Sequence, residues 1–505
     1  MKVCIDGKNI GIEDVVNVAR NRYKVEISKE AMEKIEQGRK NLLDIIEKGK
    51  AVYGINTGFG VLENVKIGKE KIKKLQKNLV RSHSCGVGEP LEEEIVRAII
   101  FLRLQSLAKG YSGVRAEIVE KLAEMLNKNF HPFLPSQGSV GASGDLVPLA
   151  HLALSMMGEG LAFLNGRVRK TEDVFKELSI KKVELSAKEG IALINGTQFM
   201  SAIACLALHD SINLLKNAQI AGVMSLEALK GTDQAFREEI SKLRPYNGQI
   251  AVSRNLWKLT RGSEIIASHK DCERVQDAYT LRCMPQVFGA MHEYLSFLRK
   301  MLEIEINSVT DNPLIFENFA LSGGNFHGEP LAILIDILNI LLTKMGNFSE
   351  RRIFRLLDKN LSGLPAFLIK EPGINSGMMI LQYVAASLAS ENKSMAYPSS
   401  VDNIPTSANQ EDYQSMGSIG ARKCLQIMKN TRKIIAIEYI VASQALDFFE
   451  LSPSKASKRA KEIVRKYVKE LKEDRAMYED IEKIEKVIQN GEIVREVEKI
   501  VGKME

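Results

Sequence analysis

Apolar residues recur at intervals of three and four along most of the chain, which is the spacing of one face of an α-helix. In one segment Ile95, Ile99 and Leu102 share a face, and this segment opens with Pro90 and the acidic residues 92–94, which favour a helix N-terminus. The same pattern covers residues 114–127, 286–304, 331–356, 377–392 and 418–449. It predicts a mainly α fold.

Signals for β-strands are few by comparison. Asn165-Gly166 suits the positive φ angles of a type I′ hairpin turn. From Lys455 onward the chain is dense in Lys and Glu at helical spacing, which is typical of helix faces in contact with solvent. We therefore expect a smaller mixed N-terminal region, residues 1–196, followed by a long helical bundle with charged C-terminal helices, residues 197–505.

Composition indicates a soluble protein with a large core. The chain has 505 residues, 45% of them hydrophobic, and its formal charge of +7 comes from interspersed Lys, Arg, Asp and Glu, which does not indicate nucleic-acid binding. The N-terminus has no apolar run like that of a signal peptide, and Asp336 and Asn339 interrupt the apolar stretch Leu331 to Leu342, so we expect a buried core helix there.

The cysteines are widely separated and form no CxxC pair, which predicts neither a disulfide framework nor a zinc site. Reduced thiols fit a cytoplasmic protein best. The six positions are Cys4, Cys85, Cys205, Cys272, Cys283 and Cys424.

Several common catalytic motifs are missing from the sequence. It contains no GxxxxGK[ST] loop, HExxH, GxSxG or GxGxxG, which argues against the usual nucleotide, zinc-protease, hydrolase and dinucleotide chemistries. The SxxK match at 452–455 lies in a proline-containing turn before a charged helix, and we attribute it to chance.

The segment 138–148 combines small residues with one central hydroxyl group. One interpretation is a tight turn into a helix, with Ser143 or Asp145 as N-cap and Pro148 in the first turn. In the other, the Gly144 nitrogen attacks the Ala142 carbonyl, and loss of water closes a five-membered ring and dehydrates Ser143. The product would be a methylidene-imidazolone, an electrophile made from the backbone.

The sequence Ala142-Ser143-Gly144-Asp145, preceded by Gly-Ser-Val-Gly, resembles that of the aromatic amino acid ammonia-lyase family, in particular its branch acting on histidine. The resemblance continues in family order from residue 53 to residue 412. The further blocks are YGINTGFG (53–60), SH (82–83) with GVGEP (86–90), NGTQ (195–198), QDAYTLR (276–282), NSVTDNP (307–313), GGNFHG (323–328) and NQED (409–412).

An ammonia-lyase removes an unactivated proton from the β carbon and makes the amine a leaving group, so it needs a base and an electrophile. The resemblance implies that Ala142–Gly144 form the electrophile autocatalytically, that Asp145 assists its maturation, and that Tyr53 is the base. It also implies that Tyr279 lies close to the electrophile and helps proton traffic there. No metal or external cofactor is expected.

The remaining assignments concern the amino acid substrate. The planar fork of Arg282 suits its carboxylate, and the resemblance implies further substrate contacts by Asn195, Gln276, Asn312 and Phe326. His83 and Glu411 would give an imidazole ring the polar partners that it requires. After Asp412, however, the histidine-acting branch usually continues with His and Val, whereas this chain has Tyr413 and Gln414.

Three alternatives remain open on sequence grounds: a tyrosine or phenylalanine ammonia-lyase, a 2,3-aminomutase with the same electrophile, and a non-catalytic helical scaffold that binds a partner through its charged C-terminal helix. The resemblance also implies a homotetramer whose active sites gather residues from more than one subunit. We expect neither a nucleic acid nor a membrane as a partner.

Overall fold

The computed structural model describes residues 1–48, 52–58, 60–62, 64–270 and 275–505. Phe59 of the YGINTGFG block and Cys272 lie outside these ranges. The described residues are mostly α-helical, with a few short strands, which confirms the predicted fold class.

Helices and strands are numbered in chain order within the described residues. The α-helices α1 to α21 are Ile12–Ala19, Lys29–Glu47, Ile72–His83, Glu93–Leu107, Ala116–Asn127, Val147–Met156, Thr171–Glu177, Glu189–Ile194, Gln198–Ala228, Glu238–Lys242, Asn247–Thr260, Glu264–Ala267, Tyr279–Arg282, Met284–Glu305, Glu329–Leu357, Lys359–Ser362, Met379–Met395, Gly417–Ala445, Lys455–Tyr467, Tyr478–Gln489 and Glu492–Val501. The strands β1 to β9 are Lys2–Ile5, Lys24–Ile27, Val87–Pro90, His131–Pro132, Pro135–Gln137, Leu161–Leu164, Arg167–Lys170, Leu314–Ile315 and Ala320–Leu321.

The long helices follow the apolar periodicity closely. The segment after Pro90 forms α4, in which Ile95, Ile99 and Leu102 are all buried. The apolar stretch around Leu331 belongs to α15, the one described helix long and apolar enough to cross a membrane by length and composition alone. In its most apolar window 61% of the residues are buried, as in a core helix.

The predicted hairpin is present as β6 and β7, which pair antiparallel with Leu164 opposite Arg167. Its two turn residues, Asn165 and Gly166, have φ angles of +51° and +73°, as a type I′ turn requires. Strand β4 pairs with β6 to complete a three-stranded sheet. The other described pairs are β1 with β2, which is parallel, and β3 with β5 and β8 with β9, which are antiparallel.

The chain divides into two compact units. Unit 1 comprises residues 1–209, 300–336 and 398–424. All the described strands lie within it, and its helix α4 packs against α1 and α5. Helices α3, α6 and α8 form a second group in which each packs against the other two.

Unit 2 comprises residues 210–299, 337–397 and 425–505. At its centre the fully buried Arg352 forms an ion pair with Glu438, whose carboxylate also accepts hydrogen bonds from Ser225 and Ser349. The charged C-terminal helices α19, α20 and α21 pack together through apolar faces, which bury Ile463 among other residues. The boundary after residue 196 that we expect from the sequence stays a prediction.

Candidate active site

The ends of α3, α6 and α8 bring together segments that the sequence singles out. His83 is the last residue of α3, residues 142–145 precede α6, and Asn195 follows α8. The buried Gln76 of α3 connects two of these parts: its Oε1 accepts a hydrogen bond from Gly190 N at 2.9 Å, and its Nε2 donates to Gly54 O at 3.1 Å. Gln76 thus fixes the turn that carries Tyr53 relative to α8.

The segment 138–146, which we call the electrophile loop, has an unusual backbone. Ser143 and Leu146 have φ angles of +48° and +44°, values that residues with a side chain rarely adopt. Such strain persists only where the surroundings impose it, and it clusters at functional sites. Neither Ser143 nor Asp145 caps the following helix, because Leu146 occupies the N-cap position of α6. The interpretation of the segment as an ordinary serine- or aspartate-capped turn is therefore wrong.

The electrophile loop rests on a second tight segment, residues 195–199, which we call the platform turn. Gly196 O accepts a hydrogen bond from Asp145 N at 2.7 Å, and Gly196 N donates to Ser143 O at 3.4 Å. A side chain on Gly144 would collide with the backbone of Gly196. Only glycine fits at position 144. Because glycine has no side chain, residue 144 itself has no atom beyond its backbone that could shield its nitrogen.

Asp145 is fully buried beneath the loop, where its Oδ2 accepts a hydrogen bond from Phe199 N at 2.6 Å. Burial raises the pKa of this carboxyl to about 8, and the charge of Glu305 acts in the same direction. The Phe199 hydrogen bond and the positive charge of Arg103 partly offset the effect on the pKa. Asp145 is therefore mainly protonated at neutral pH.

His83 and Glu411 interact electrostatically although more than three hundred positions separate them in the sequence. Burial lowers the pKa of the His83 imidazole, while the Leu79 carbonyl and the Glu411 carboxylate act in the opposite direction. His83 Nδ1 lies 2.9 Å from Leu79 O. Because a carbonyl can only accept, Nδ1 carries the proton and Nε2 of the neutral ring is a hydrogen-bond acceptor.

Tyr413 and Gln414, where the sequence differs from the family pattern, follow Glu411 closely in the chain. Gln414 is buried, and its Nε2 donates to Thr406 Oγ1 at 3.0 Å and to Glu411 O at 2.8 Å. Thr406 Oγ1 in turn donates to Glu411 Oε2 at 2.9 Å. Tyr413 is exposed, and its ring stacks on His327 with a centroid distance of 6.0 Å. Gln414 thus supports the loop that holds the Glu411 carboxylate.

Four further residues predicted at the site lie in unit 1. Tyr53 is half-buried, and its hydroxyl accepts a hydrogen bond from Gly60 N at 3.2 Å. Asn195 and Asn312 are buried and directly joined, since Asn195 Nδ2 donates to Asn312 O at 2.9 Å. Asn312 Oδ1 accepts from Gly323 N at 2.8 Å, at the start of the GGNFHG block that contains the half-buried Phe326.

The other predicted residues, Gln276, Tyr279 and Arg282, lie in unit 2 at or just before the short helix α13. Gln276 and Tyr279 are exposed, the latter by 69%. The Arg282 guanidinium lies over the Tyr279 ring, 4.7 Å from its centroid, and its Nε donates to Asp277 O at 3.0 Å. This contact gives the guanidinium a defined orientation beside an exposed phenol.

Comparisons with known proteins match nearly the whole chain. The family model for aromatic amino acid lyases matches residues 10–467. The chain belongs to the aromatic amino acid lyase family. A histidine ammonia-lyase from Caldanaerobacter subterraneus subsp. tengcongensis is 50% identical to it over 495 residues, which cover 97% of each chain.

Solved structures of other family members have the same fold. The crystal structure of histidine ammonia-lyase from Trypanosoma cruzi matches with a TM-score of 0.91 at 40% identity, over 99% of this chain and 95% of that one. A tyrosine aminomutase from Streptomyces globisporus matches with a TM-score of 0.95 at 38% identity, over the whole of both chains. Lyases and aminomutases of this family therefore share one architecture.

Sequence reasoning missed the buried charges that surround the platform turn of this aromatic amino acid lyase. Lys188 and Asp311 form a fully buried ion pair at 2.7 Å, and Asp311 Oδ1 accepts from Asn312 N at 2.7 Å. Arg103 is buried in α4, surrounded in sequence by apolar residues. The available signal was the position of Arg103 inside an apolar run, and the neighbours of Lys188 and Asp311 gave no comparable signal. Among the described residues, no group of three or more His, Cys, Asp or Glu side chains could hold a metal ion.

The raised pKa of Asp145 leads to a pH-dependent stability that Asp145→Asn should remove. A carboxyl in the unfolded chain titrates near about 3.9, whereas the folded pKa is about 8. Between these values the folded protein holds a proton that the unfolded chain has released, so rising pH destabilises wild type. Thermal unfolding of both proteins from pH 5 to pH 9 should show wild type losing stability relative to Asp145→Asn until about pH 8. Parallel curves would show that Asp145 is already ionised in the folded protein.

Proposed function

We propose that this chain is a histidine ammonia-lyase, which eliminates ammonia from L-histidine to give trans-urocanate. Identity of 50% to a histidine ammonia-lyase over 97% of the chain supports this activity. The observation that carries the substrate assignment is the electrostatic interaction of His83 with Glu411, because it places two polar side chains near each other. An aryl ring without polar atoms would offer no hydrogen bond to His83 Nε2 or to the Glu411 carboxylate.

The electrophile in this proposal is a methylidene-imidazolone made from Ala142, Ser143 and Gly144. The residues present fit the group. The left-handed Ser143 and Gly144, which is held against the Gly196 backbone, form a strained loop in which residue 144 has no side chain to crowd the nitrogen that must react. Residues 142–144 would hold the group as part of the backbone, and it would supply the electrophilic carbon that ammonia elimination requires.

Tyr53 is the proposed base for the β proton. Its hydroxyl oxygen accepts a hydrogen bond from Gly60 N, which orients the phenol. The turn is tied to α3 through Gln76, so the oxygen is held at a fixed place. Tyr279, stacked with Arg282, is assigned to proton traffic at the amine.

Substrate orientation is assigned to Arg282 and the neighbouring amides. Arg282 pairs with the carboxylate through its planar fork, which fixes direction as well as charge. Gln276, Asn195 and Asn312 complete the polar contacts with the carboxylate and the amine, and Phe326 packs on the substrate. The Asn195–Asn312 hydrogen bond means that these two side chains are positioned together.

His83 Nε2 and the Glu411 carboxylate are both hydrogen-bond acceptors, so between them they can take the imidazole N–H of histidine in either tautomer. Thr406 and Gln414 hold the Glu411 end of this pair. A phenyl ring offers no such donor. The phenol of tyrosine does, and this makes tyrosine the competing substrate to examine.

We further propose a cytoplasmic homotetramer in which another subunit supplies Gln276, Tyr279 and Arg282 to the site built by unit 1. The exposed side chains of α14 support an interface between copies of the chain. Tyr294, Phe297, Met301 and Ile304 form an exposed apolar stripe along this helix. Contiguous apolar surface of this kind marks a protein–protein contact.

A substrate panel tests the proposed function. Purified enzyme is incubated separately with L-histidine, L-tyrosine and L-phenylalanine, and the unsaturated product is followed by absorbance, free ammonia by a coupled assay, and β-amino acid by chromatography. We expect urocanate and ammonia in equal amounts from histidine. Preferential turnover of tyrosine would overturn the substrate assignment, and β-amino acid without ammonia would identify an aminomutase.

Replacing His83 with leucine should harm histidine turnover selectively. An unpaired polar group in a desolvated site costs about 1 to 3 kcal/mol, so kcat/KM for histidine should fall roughly 5- to 150-fold. Residual turnover of phenylalanine should fall much less. The measurement compares kcat/KM for the three amino acids in wild type, His83→Leu and Glu411→Gln.

His292→Leu is the matched control, because burial also lowers the pKa of this half-buried imidazole in unit 2 and no role at the site is assigned to it. It should leave the relative rates for the three substrates unchanged. Equal losses for all substrates in His83→Leu would show that His83 serves structure or general catalysis rather than selection of the ring.

A further inference from the structure

Arg103 is a fully buried arginine that none of the roles above uses. It lies in α4, and burial lowers the pKa of its guanidinium to about 10, which still leaves it charged at neutral pH. Its Nη1 donates hydrogen bonds to Asn195 O and, at 2.8 Å, to Gln198 Oε1. Arg103 thereby holds two points of the platform turn.

The cost of burying this cation argues against a role in stability alone. Within the part of the chain that the structure describes, Arg103 Nε and Nη2 have no hydrogen-bond partner. A buried ion with incomplete hydrogen bonding contributes less to stability than an apolar side chain of similar volume. What Arg103 adds is a fixed, directional contact at Nη1.

The platform turn sets the backbone geometry of the electrophile loop. Gly196, between the two anchor points of Arg103, hydrogen bonds to Ser143 and Asp145 on either side of Gly144. The next residue after Gln198, Phe199, donates its N–H to the Asp145 carboxyl. A displacement of residues 195–199 would therefore move Gly144 N relative to the Ala142 carbonyl.

Formation of the electrophile depends on that relative position. The Gly144 nitrogen forms a bond to the Ala142 carbonyl carbon, and the carbonyl oxygen leaves as water with one proton from that nitrogen and one from the Ser143 nitrogen, which becomes double-bonded to the same carbon. Ser143 loses its hydroxyl group and its α proton as a second water. No oxidant or reductant is needed. Intramolecular attack of this kind is highly sensitive to how the reacting atoms are held.

We propose that Arg103 is a positioning residue for electrophile maturation: by anchoring Asn195 and Gln198 it holds the platform turn, and through Gly196 the electrophile loop, in the geometry that closes the ring. This inference rests on the proposed function, since it requires that the electrophile forms.

Arg103→Lys tests the inference directly. Lysine keeps the positive charge but is shorter and lacks the planar guanidinium that fixes the direction of the Nη1 hydrogen bonds to Asn195 O and Gln198 Oε1. Pulse-labelled chains are sampled after synthesis, and their intact mass is followed until two waters are lost. Loss of a charge-assisted hydrogen bond should slow this dehydration about tenfold or more. Arg97→Lys is the matched control, because Arg97 is a buried arginine of the same helix that donates to Val18 O and Leu126 O instead.

We expect Arg103→Lys to dehydrate slowly and Arg97→Lys to dehydrate at the wild-type rate. The two variants should have similar helical circular dichroism spectra and similar melting temperatures. Equal dehydration rates in the two variants would overturn the inference. A wild-type chain that never loses two waters would instead overturn the proposed function. If Arg103→Lys does not fold, Gln198→Met decides the matter, because it removes one acceptor and leaves Arg103 in place. Slower dehydration in Gln198→Met supports the inference, and a wild-type rate contradicts it.

Discussion

Ser143→Ala is expected to abolish histidine turnover while leaving the fold intact. The variant keeps the small residues of the electrophile loop but lacks the oxygen whose loss produces the exocyclic methylene. The expected reduction in kcat is about 10³-fold or more, the order seen when an enzyme loses the group that bonds covalently to its substrate. Urocanate formation measured by absorbance, together with circular dichroism, checks this result.

The matched control is Ser155→Ala. Ser155 is also buried in unit 1, and its hydroxyl donates to Leu152 O within α6. Its replacement should cost about 1 kcal/mol of stability and little activity. Activity near that of wild type in Ser143→Ala would end the proposal that Ser143 supplies the electrophile.

Tyr53→Phe is expected to lower kcat about 10²- to 10⁴-fold, which is the usual contribution of a general base. The substitution keeps the ring and removes the hydroxyl that accepts from Gly60 N. That hydrogen bond is worth only about 1 kcal/mol, so its loss cannot explain an effect of this size. Steady-state kinetics should show that KM for histidine changes far less than kcat.

Tyr111→Phe serves as the control, because this partly exposed tyrosine of unit 1 packs its ring against Phe316 and has no assigned role in the reaction. It should be kinetically like wild type. Unchanged kcat with a greatly increased KM in Tyr53→Phe would make Tyr53 a substrate contact rather than the base.

The helices and the hairpin could be predicted because their signals are local. The sequence located the start of α4 and both ends of α15 to within a few residues, and Asn165-Gly166 identified the type I′ turn. Each of these depends on neighbours a few positions away, and the tertiary fold does not override them.

The sequence predicted the residues of the site only as separate motifs, without showing which of them lie close together in the fold. Nothing local to His83 shows that the charge of Glu411 affects its pKa, since 327 other residues separate the two in the sequence. The resemblance to the family connected the two. It did not reveal Gln76 or Arg103, whose importance depends on which backbone atoms the fold brings to them.

The backbone of the electrophile loop could not be predicted from local helix-capping rules. Helix-capping rules favoured Ser143 or Asp145 as an N-cap, yet the cap position is Leu146 with a positive φ angle. The strained backbone is imposed by Gly196 and the platform turn, which lie about fifty positions further along the chain.

Peptide-level mass spectrometry of the purified wild-type chain tests the central claim most directly. After proteolysis, the peptide that contains residues 142–144 should weigh less than its sequence requires by two water molecules, with the loss confined to these residues by fragmentation. The same peptide from Ser143→Ala should retain the water that only the serine hydroxyl can release. A wild-type peptide of full, unmodified mass would contradict the proposed self-made electrophile, and with it the assignment of ammonia-lyase chemistry to this loop.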